Sequence, residues 1–393
     1  MPAIAKPLRI LAAAAIAVAG AGMIICAYAL GLDNESVTGR DYIQYWAAER
    51  LLAAGSNPYD PTLILREQQA AGMTDSDPKV TLSPPVAFFF ALPLGFVSAK
   101  TGLIAWLLVS LASLGLSVRL LWMEFGRPTT GYHFIGLCFP PSLSCLMAGQ
   151  LGIFFLLGVA IFLRCNRTRP WLAGAALLPC ALKPHLFLPL AAVLALSSLR
   201  RKDLRVPAGF LLTLAVSCAL TLCIDPRIWS QYRQLTHSVR IMDVFLPTAS
   251  VALRFAIDRG AHWIEFVPTA VACAWACWYF WTQRERWEWN RQGMLLLMVS
   301  LAAAPYSWFS DQTVLLPAVL AGIYAAEKNP RSWVLLALIA AGGMVGVAEA
   351  IRLTSPFYIW TAPAWLGWYL YAVYSKHGKN ETGGLRSATS EGA

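Results

Sequence analysis

The side chains with chemistry to offer sit at the ends of apolar runs: Asp41, Gln150, Lys183, His185, Asp225, His237, Asp243, Asp311 and Gln312. A carboxylate placed beside a hydroxyl can take its proton. A lysine or histidine can steady negative charge as it develops on an oxygen. Ionisable groups at or near membrane depth are costly and are functional candidates first. Asp41 lies in the segment Gly39-Arg40-Asp41-Tyr42-Ile43-Gln44-Tyr45-Trp46, just before a helical stretch. An aspartate there is equally suited to cap the helix by accepting backbone N–H bonds. The two roles are compatible, because a cap also fixes a carboxylate in place. Local alternatives exist elsewhere too. Lys183 can snorkel from a helix end, and Asp60 before Pro61 and Asp225 before Pro226 read as turns. Arg227, Arg233 and Arg240, interleaved with Trp229 and Tyr232, either hold an anionic phosphate or headgroup or form a solvated face, and the second reading is preferred. Cys273 and Cys277 share a helical face with no His or carboxylate beside them, and no acid pair stands at Asp41. Neither a metal site nor a bound cofactor is expected.

The elements that must position these residues are membrane helices. Of 393 residues, 58% are hydrophobic and 13% charged, against roughly 25% charged in a soluble domain. The net charge of +10 lies in short clusters between apolar runs. That pattern orients a membrane protein and excludes a solvated nucleic-acid-binding face. The first apolar run, 8–30, exceeds the length of a cleaved signal core and reads as a retained helix. A polar stretch follows, with an amphipathic helix over 42–54. Pro84-Pro85 then opens a short apolar segment, Val86–Val97, suited to a half-span. Further apolar runs lie at 101–123, 131–148, 151–163, 171–182, 186–199, 206–224, 264–281, 294–309, 313–325, 333–351 and 357–374. Several are too short for an upright span, which predicts tilted, broken or protein-buried helices. If 86–97 does not cross, the basic clusters at 119–127, 164–169, 200–205, 284–291 and 328–331 share the cytoplasmic side with both termini. The expectation is an all-α polytopic membrane protein with about 12 transmembrane helices. It forms a single domain over 1–375, with a large first external loop (31–100) carrying a juxtamembrane helix, and a disordered cytoplasmic tail over 376–393.

Four stretches, in order, carry a resemblance. GRDYIQYWAAERLLAAGSNPYD (39–60) resembles the first periplasmic loop of glycosyltransferase family 87, membrane mannosyltransferases of the C-type (GT-C) superfamily. LSPPVAFFFALPLGFVS (82–98) resembles that family's Tyr-Pro-Pro stretch. The segment from Gly149-Gln150 through Lys183-Pro184 to the basic loop at 200–205 resembles its Gly-Gln turn, Gly-rich helix and Lys-Pro turn. AAAPYSWFSDQTVLLPAVL (302–320) resembles its late Ser-Pro segment. The resemblance implies a GT-C-like fold in a bacterial inner membrane, with the site facing the periplasm. It also implies inverting transfer of a hexose, mannose in the family, from a polyprenyl-phosphate donor to a lipid or glycan acceptor. Asp41 matches the acid of the first external loop and would be the general base. Lys183, with His185 as a second candidate, would offset charge on the leaving phosphate. Gln150 would hydrogen-bond sugar or phosphate. Asp311 and Gln312 would orient a substrate or satisfy a helix end, and Arg40 and Tyr45, flanking Asp41, complete the substrate-binding set. Some members carry a histidine in the late segment; this chain has Ala304-Pro305-Tyr306-Ser307-Trp308, which leaves the sugar open. Two competitors remain. A flippase or transporter of lipid-linked sugars predicts repeats and midplane polar residues, and a polysaccharide polymerase is kept open by the arginines of 225–262.

Overall fold

The computed structural model describes residues 34–238, 245–350 and 352–375. The expected first helix over 8–30, the tail 376–393, Arg240 and Asp243 lie outside the described residues. Everything described is helix, turn or irregular chain, with no strand among the described residues. The protein is thus helical, and among the described residues three helices are long and apolar enough to cross a bilayer. Within the expected single domain the chain gathers into two compact units. The first draws on Met1–Cys138, Ser142–Pro184 and Leu194–Val244, and the second on Phe139–Pro141, His185–Val193 and Phe245–Ala393.

The first unit opens with α1 (Asn34–Gly39), α2 (Tyr42–Ala53) and α3 (Pro61–Ala70). The sequence pattern of α2 reads as amphipathic, but the helix is buried nearly all round: Tyr42, Ile43, Tyr45, Trp46, Ala47, Ala48, Glu49, Leu51 and Leu52 are all buried. Its outer faces are covered by chain distant in sequence, which a local hydropathy pattern cannot register. Gly55 ends it at φ +70°. The Ser56 amide donates to Leu51 O at 2.8 Å and the Gly55 amide to Leu52 O at 3.0 Å, the paired bonds of a Schellman stop. Asp60 does more than make a turn. Its Oδ1 accepts from the Thr62 and Leu63 amides at 2.8 and 3.2 Å and so caps α3, with Pro61 in the first helical turn. The segment 85–96 breaks into three short pieces, Pro85–Ala87, Phe88–Ala91 and Leu92–Phe96. None approaches the roughly 20 residues a span needs.

Then comes α4 (Ala99–Glu124), the longest helix. It exposes Ile104, Leu108, Leu111 and Leu116 and buries Ser110, Ser113 and Ser117. Leucine outside and serine inside is the distribution of a helix solvated by lipid. The Ser117 hydroxyl is satisfied by Ser113 O at 2.7 Å. The run 131–148 breaks before Pro140-Pro141, leaving a turn at Tyr132–Cys138 and α5 (Pro140–Ala148). After α6 (Gly152–Cys165), α7 (Pro170–Ala175) and α8 (Leu188–Arg201) comes α9 (Arg205–Ile224), the second long apolar helix. It packs tightly on α7. A Cβ at Gly174 would sit 2.0 Å from Val206 O, and one at Gly209 2.3 Å from Trp171 O. Small residues that let two backbones meet are how membrane helices associate without a hydrophobic drive. α10 (Ile228–Ser238) returns to α2, where Ile228 and Leu235 join Ala48, Leu52, Tyr59 and Phe88 in a buried cluster. Burying a leucine, isoleucine or phenylalanine of this cluster contributes about 1.5–3 kcal/mol. The exposed Arg50–Glu67 pair at 3.0 Å nearby contributes about 1 kcal/mol at most, so apolar burial holds α2 in place.

The second unit holds α11 (Ala249–Ile257), α12 (Phe266–Gln283), α13 (Gln292–Ala302), a 3-10 turn at Phe309–Leu315, α14 (Leu316–Ala325), α15 (Pro330–Ala348), the third long apolar helix, and α16 (Thr361–Tyr374). Thr248 caps α11, accepting from the Val251 amide at 3.2 Å. Buried Arg254 pairs with buried Glu265. The Trp368 indole donates to Ser332 O at 3.0 Å, tying α16 to α15.

Candidate active site

Asp41 stands at the junction of α1 and α2, and two cations shape that corner. Lys79 Nζ donates to Thr38 O at 3.0 Å and Gly39 O at 2.7 Å. Arg40 donates through Nε to Ser36 O at 3.2 Å and through Nη1 to Met147 O. Both cations are thereby directed at backbone carbonyls. Arg40 fastens the α1–α2 corner to the end of α5, a scaffold role beside the binding role expected of it.

The Asp41 carboxylate does not cap α2. Its backbone is already helical (φ −65°, ψ −22°), and it makes no side-chain cap bond. A capping residue takes extended backbone so that its side chain can fold over the next amides. Instead Oδ2 accepts from Gln150 Nε2 at 2.6 Å. Gln150 Oε1 in turn accepts from the Tyr45 hydroxyl at 3.0 Å. Tyr45 is one helical turn after Asp41, so α2 and Gln150 close a ring of three polar groups. Among the described residues no cation pairs with Asp41, and Oδ1 is left to accept a further bond. The Tyr45 ring is stacked on Trp106, centroids 5.6 Å apart and 17° from parallel, which fixes its hydroxyl.

Gly149 makes the approach of Gln150 feasible. It holds φ +69°, and a Cβ there would fall 2.6 Å from Tyr42 Cβ. The left-handed backbone and the lack of a side chain are both needed. Gln150 itself is buried, and its amide donates to Cys145 O at 3.0 Å.

One turn beyond Tyr45 lies Glu49, a residue the sequence reading passed over. Asp41, Tyr45 and Glu49 share one face of α2 at i, i+4 and i+8, a spacing visible in the sequence. Glu49 is 1% exposed, and its Oε2 has no hydrogen-bond partner among the described residues. Leaving a buried polar atom unsatisfied costs about 1–3 kcal/mol. Burial pushes the Glu49 carboxyl well above the ordinary carboxylate range, because the low-dielectric surroundings disfavour charge.

Tyr45 and Glu49 open onto a cavity of about 580 Å³ within the first unit, a volume typical of ligand pockets. Its wall is largely apolar, including Phe88, Trp106, Leu151, Phe154, Ile161 and Leu182, with Thr81 and Ser83 among its few polar groups. From Ala105 to Ser113 it follows α4 for about 12 Å. Asp41, Gln150 and Lys183 do not line it, but Leu151 and Leu182, the chain neighbours of the last two, do.

Lys183 is half-buried between the 3-10 turns Leu178–Leu182 and Pro184–Leu186. His185 belongs to the second unit, its ring 3.8 Å from that of Tyr306, centroid to centroid. Asp311 is 1% exposed, and its Oδ2 accepts from the Trp308 amide at 2.9 Å, closing the Phe309–Leu315 turn. Gln312 Nε2 donates to Thr361 Oγ1 at 2.7 Å, joining that turn to α16. The helix-end alternative expected for Asp311 is therefore realised, and Gln312 has a structural bond. Asp225 accepts from the Arg227 amide at 2.9 Å and from Gln231 Nε2 at 2.9 Å, fastening the start of α10. His237, Arg227 and Arg233 are exposed, as a solvated face requires. Asp75 and Asp77, spaced as Asp-x-Asp, are exposed on the segment after α3 and do not line the cavity.

The sequence model of glycosyltransferase family 87 matches residues 82–305, more than half of the chain. Gln150, Lys183 and His185 fall inside the matched stretch; Arg40, Asp41, Tyr45, Glu49, Asp311 and Gln312 fall outside it. Compared with curated proteins and with solved structures, the chain matches none.

Proposed function

The chain belongs to glycosyltransferase family 87 and is a membrane glycosyltransferase; from that premise we propose that it transfers a hexose, mannose first among candidates, from a polyprenyl-phosphate donor to a lipid or glycan acceptor. The reaction takes place on the extracytoplasmic face of a bacterial inner membrane, within a GT-C-like arrangement of about twelve spans. One observation carries the reading. Asp41 is bound by an amide from a distant turn and, among the described residues, by no cation, and it leaves an oxygen open.

In this scheme the acceptor oxygen attacks the anomeric carbon from the face opposite the phosphate. Its proton passes to Asp41 Oδ1 as the carbon–oxygen bond to phosphate breaks. The configuration inverts, and the polyprenyl phosphate departs with the bonding electrons. The leaving group carries negative charge from the start, so a nearby cation lowers the barrier. Lys183, within the matched stretch, is assigned that role, with His185 as the alternate. Gln150 holds Asp41 in one orientation, and Tyr45 holds Gln150. The apolar cavity beginning at Tyr45 suits an isoprenoid chain. The scheme does not require Asp311 or Gln312.

The test uses purified protein in lipid nanodiscs with labelled polyprenyl-phosphate mannose, then glucose and galactose counterparts, and a lipid extract as acceptor. A labelled product of inverted anomeric configuration is expected. Transfer from nucleotide sugars alone would remove the lipid-linked donor from the scheme, and retained configuration would remove the single-step mechanism.

A further inference from the structure

We propose that Glu49 is a specificity-determining residue: together with Thr81 and Ser83 it forms a polar corner of the cavity that recognises a hydroxyl of the transferred sugar. The inference rests on the sugar-transfer reading above, and extends it to a residue outside the base and its ring of partners. Glu49 lies in the middle of α2, so it serves no helix end. It is almost fully buried, and Oε2 has no partner among the described residues. Gly95 brings the chain close behind it, since a Cβ there would lie 2.4 Å from Glu49 O. Buried Tyr59 steadies the segment that carries the other polar members, its hydroxyl donating to Ser83 O at 2.8 Å. Thr81 Oγ1 accepts from the Ser83 amide at 3.3 Å, which orders the short segment that faces the cavity.

A buried acid whose Oε2 has no partner among the described residues is poorly explained as a packing residue, because an apolar side chain of similar size would serve better. A bound group that completes its hydrogen bonds explains it. The surrounding wall is apolar and favours the neutral acid. A neutral carboxyl both donates through its O–H and accepts through its carbonyl. A sugar hydroxyl has the matching pair of functions, whereas a phosphate offers acceptors only. The corner lies one helical turn past Tyr45, about 12 Å along α2 from Asp41. That distance puts it on the far side of a hexose from the base or on the next ring of a longer glycan, but not at the reacting carbon. Sites built around a substrate hydroxyl reject the deoxy analogue strongly, because a buried polar group is then left unsatisfied.

The full chain in nanodiscs, with empty nanodiscs subtracted, is tested for binding of tritiated octyl α-D-mannopyranoside. Unlabelled monodeoxy octyl mannosides serve as competitors. Wild type and E49Q, which keeps a donor and an acceptor without the acid, are expected to bind within about threefold of one another; E49L is expected to weaken binding by about tenfold or more. One monodeoxy analogue should compete poorly against wild type but no worse than the parent sugar against E49L. E49L should melt at or above the wild-type temperature, so a loss of binding cannot be assigned to unfolding. If E49L fails to assemble, E49M replaces it. Equal binding by E49L and wild type overturns the proposal, as does absence of saturable binding to wild type. A stable E49Q that loses binding as E49L does shows that charge, not hydroxyl recognition, is at work, and also overturns it. D41N separates the two readings: it should bind the probe as wild type does while transferring nothing. A D41N that transfers sugar defeats the base assignment and leaves the binding result for Glu49 standing.

Discussion

Two aspartates at helix starts, Asp41 in the first unit and Asp311 in the second, look alike in the sequence and behave differently in the fold. Asp311 is buried and turns back on its own chain, taking the Trp308 amide at 2.9 Å. Asp41 is half-buried, and its carboxylate makes no cap bond to the helix it precedes. It is held by Gln150, 109 residues away, at 2.6 Å. The contrast is between a carboxylate that bonds its own turn and one that bonds a turn distant in sequence. A cap satisfies orphan amides wherever a helix begins. A side chain positioned by a distant turn, with one oxygen open and no cation beside it among the described residues, has no comparable structural duty.

The sharpest way to break the comparison is to place asparagine at both positions. D41N keeps shape and hydrogen bonding but cannot take a proton. Transfer is expected to fall by about 10²–10⁴ with the melting temperature little changed. D311N keeps the cap, since asparagine caps as well as aspartate, and should be nearly silent in both measurements. Equal behaviour of the two variants, in either direction, would dissolve the distinction.

Next in size is the support for Asp41. Q150L removes the amide that donates to Asp41 and the oxygen that accepts from the Tyr45 hydroxyl. A misplacement near 1 Å costs about 10²-fold in rate, so kcat should drop by roughly 10–10² while KM for the donor changes less. A Q150L variant with unaltered kcat would mean that Asp41 needs no such restraint. D311A comes third. It should lower stability by about 1 kcal/mol, read by denaturation of the nanodisc-embedded protein, with transfer within about twofold of wild type. A large fall in kcat without loss of stability would move Asp311 from scaffold to site.

The smallest effect is the pH dependence of stability contributed by Glu49. Its carboxyl is raised by burial above the ordinary value of 4.5. The folded state therefore holds its proton more tightly than the unfolded chain. That contribution is fully present below pH 4.5 and is lost as pH climbs from there through the raised folded value. Relative to E49Q, which does not titrate, wild type should lose a few degrees of melting temperature over that climb. Parallel curves for the two proteins would show that Glu49 is solvated in the membrane-embedded molecule.

Much of this was legible in residues read one stretch at a time. The apolar runs and basic clusters announced a helical membrane protein. α4 over Ala99–Glu124 closely matches the run expected at 101–123, whereas the break of 131–148 before Pro140-Pro141 was not read there. The family resemblance, seen in Gly149-Gln150 and Lys183-Pro184, singled out Gln150 and Lys183. Less legible were features that depend on what lies opposite. The amphipathic look of α2 gave way to burial on nearly every face, because chain from 85–97 and from α10 covers it. Asp60 read as a turn, yet the helix it caps begins one residue later. Glu49 went unnoticed because an acid between Ala48 and Arg50 looks like surface.

What the amino-acid order alone determined is that this chain lives among lipids as helices, with its polar residues at helix ends. Transfer free energy adds up over neighbouring residues, and proline and glycine act on their own backbone. What only the tertiary structure decided is which of those polar residues face one another. The bond from Gln150 to Asp41, the stacking of Tyr45 on Trp106 and the enclosure of Glu49 each join segments whose approach depends on packing. A hydrogen bond or a desolvated carboxyl exists only at a few ångströms' separation, and no local pattern specifies that separation.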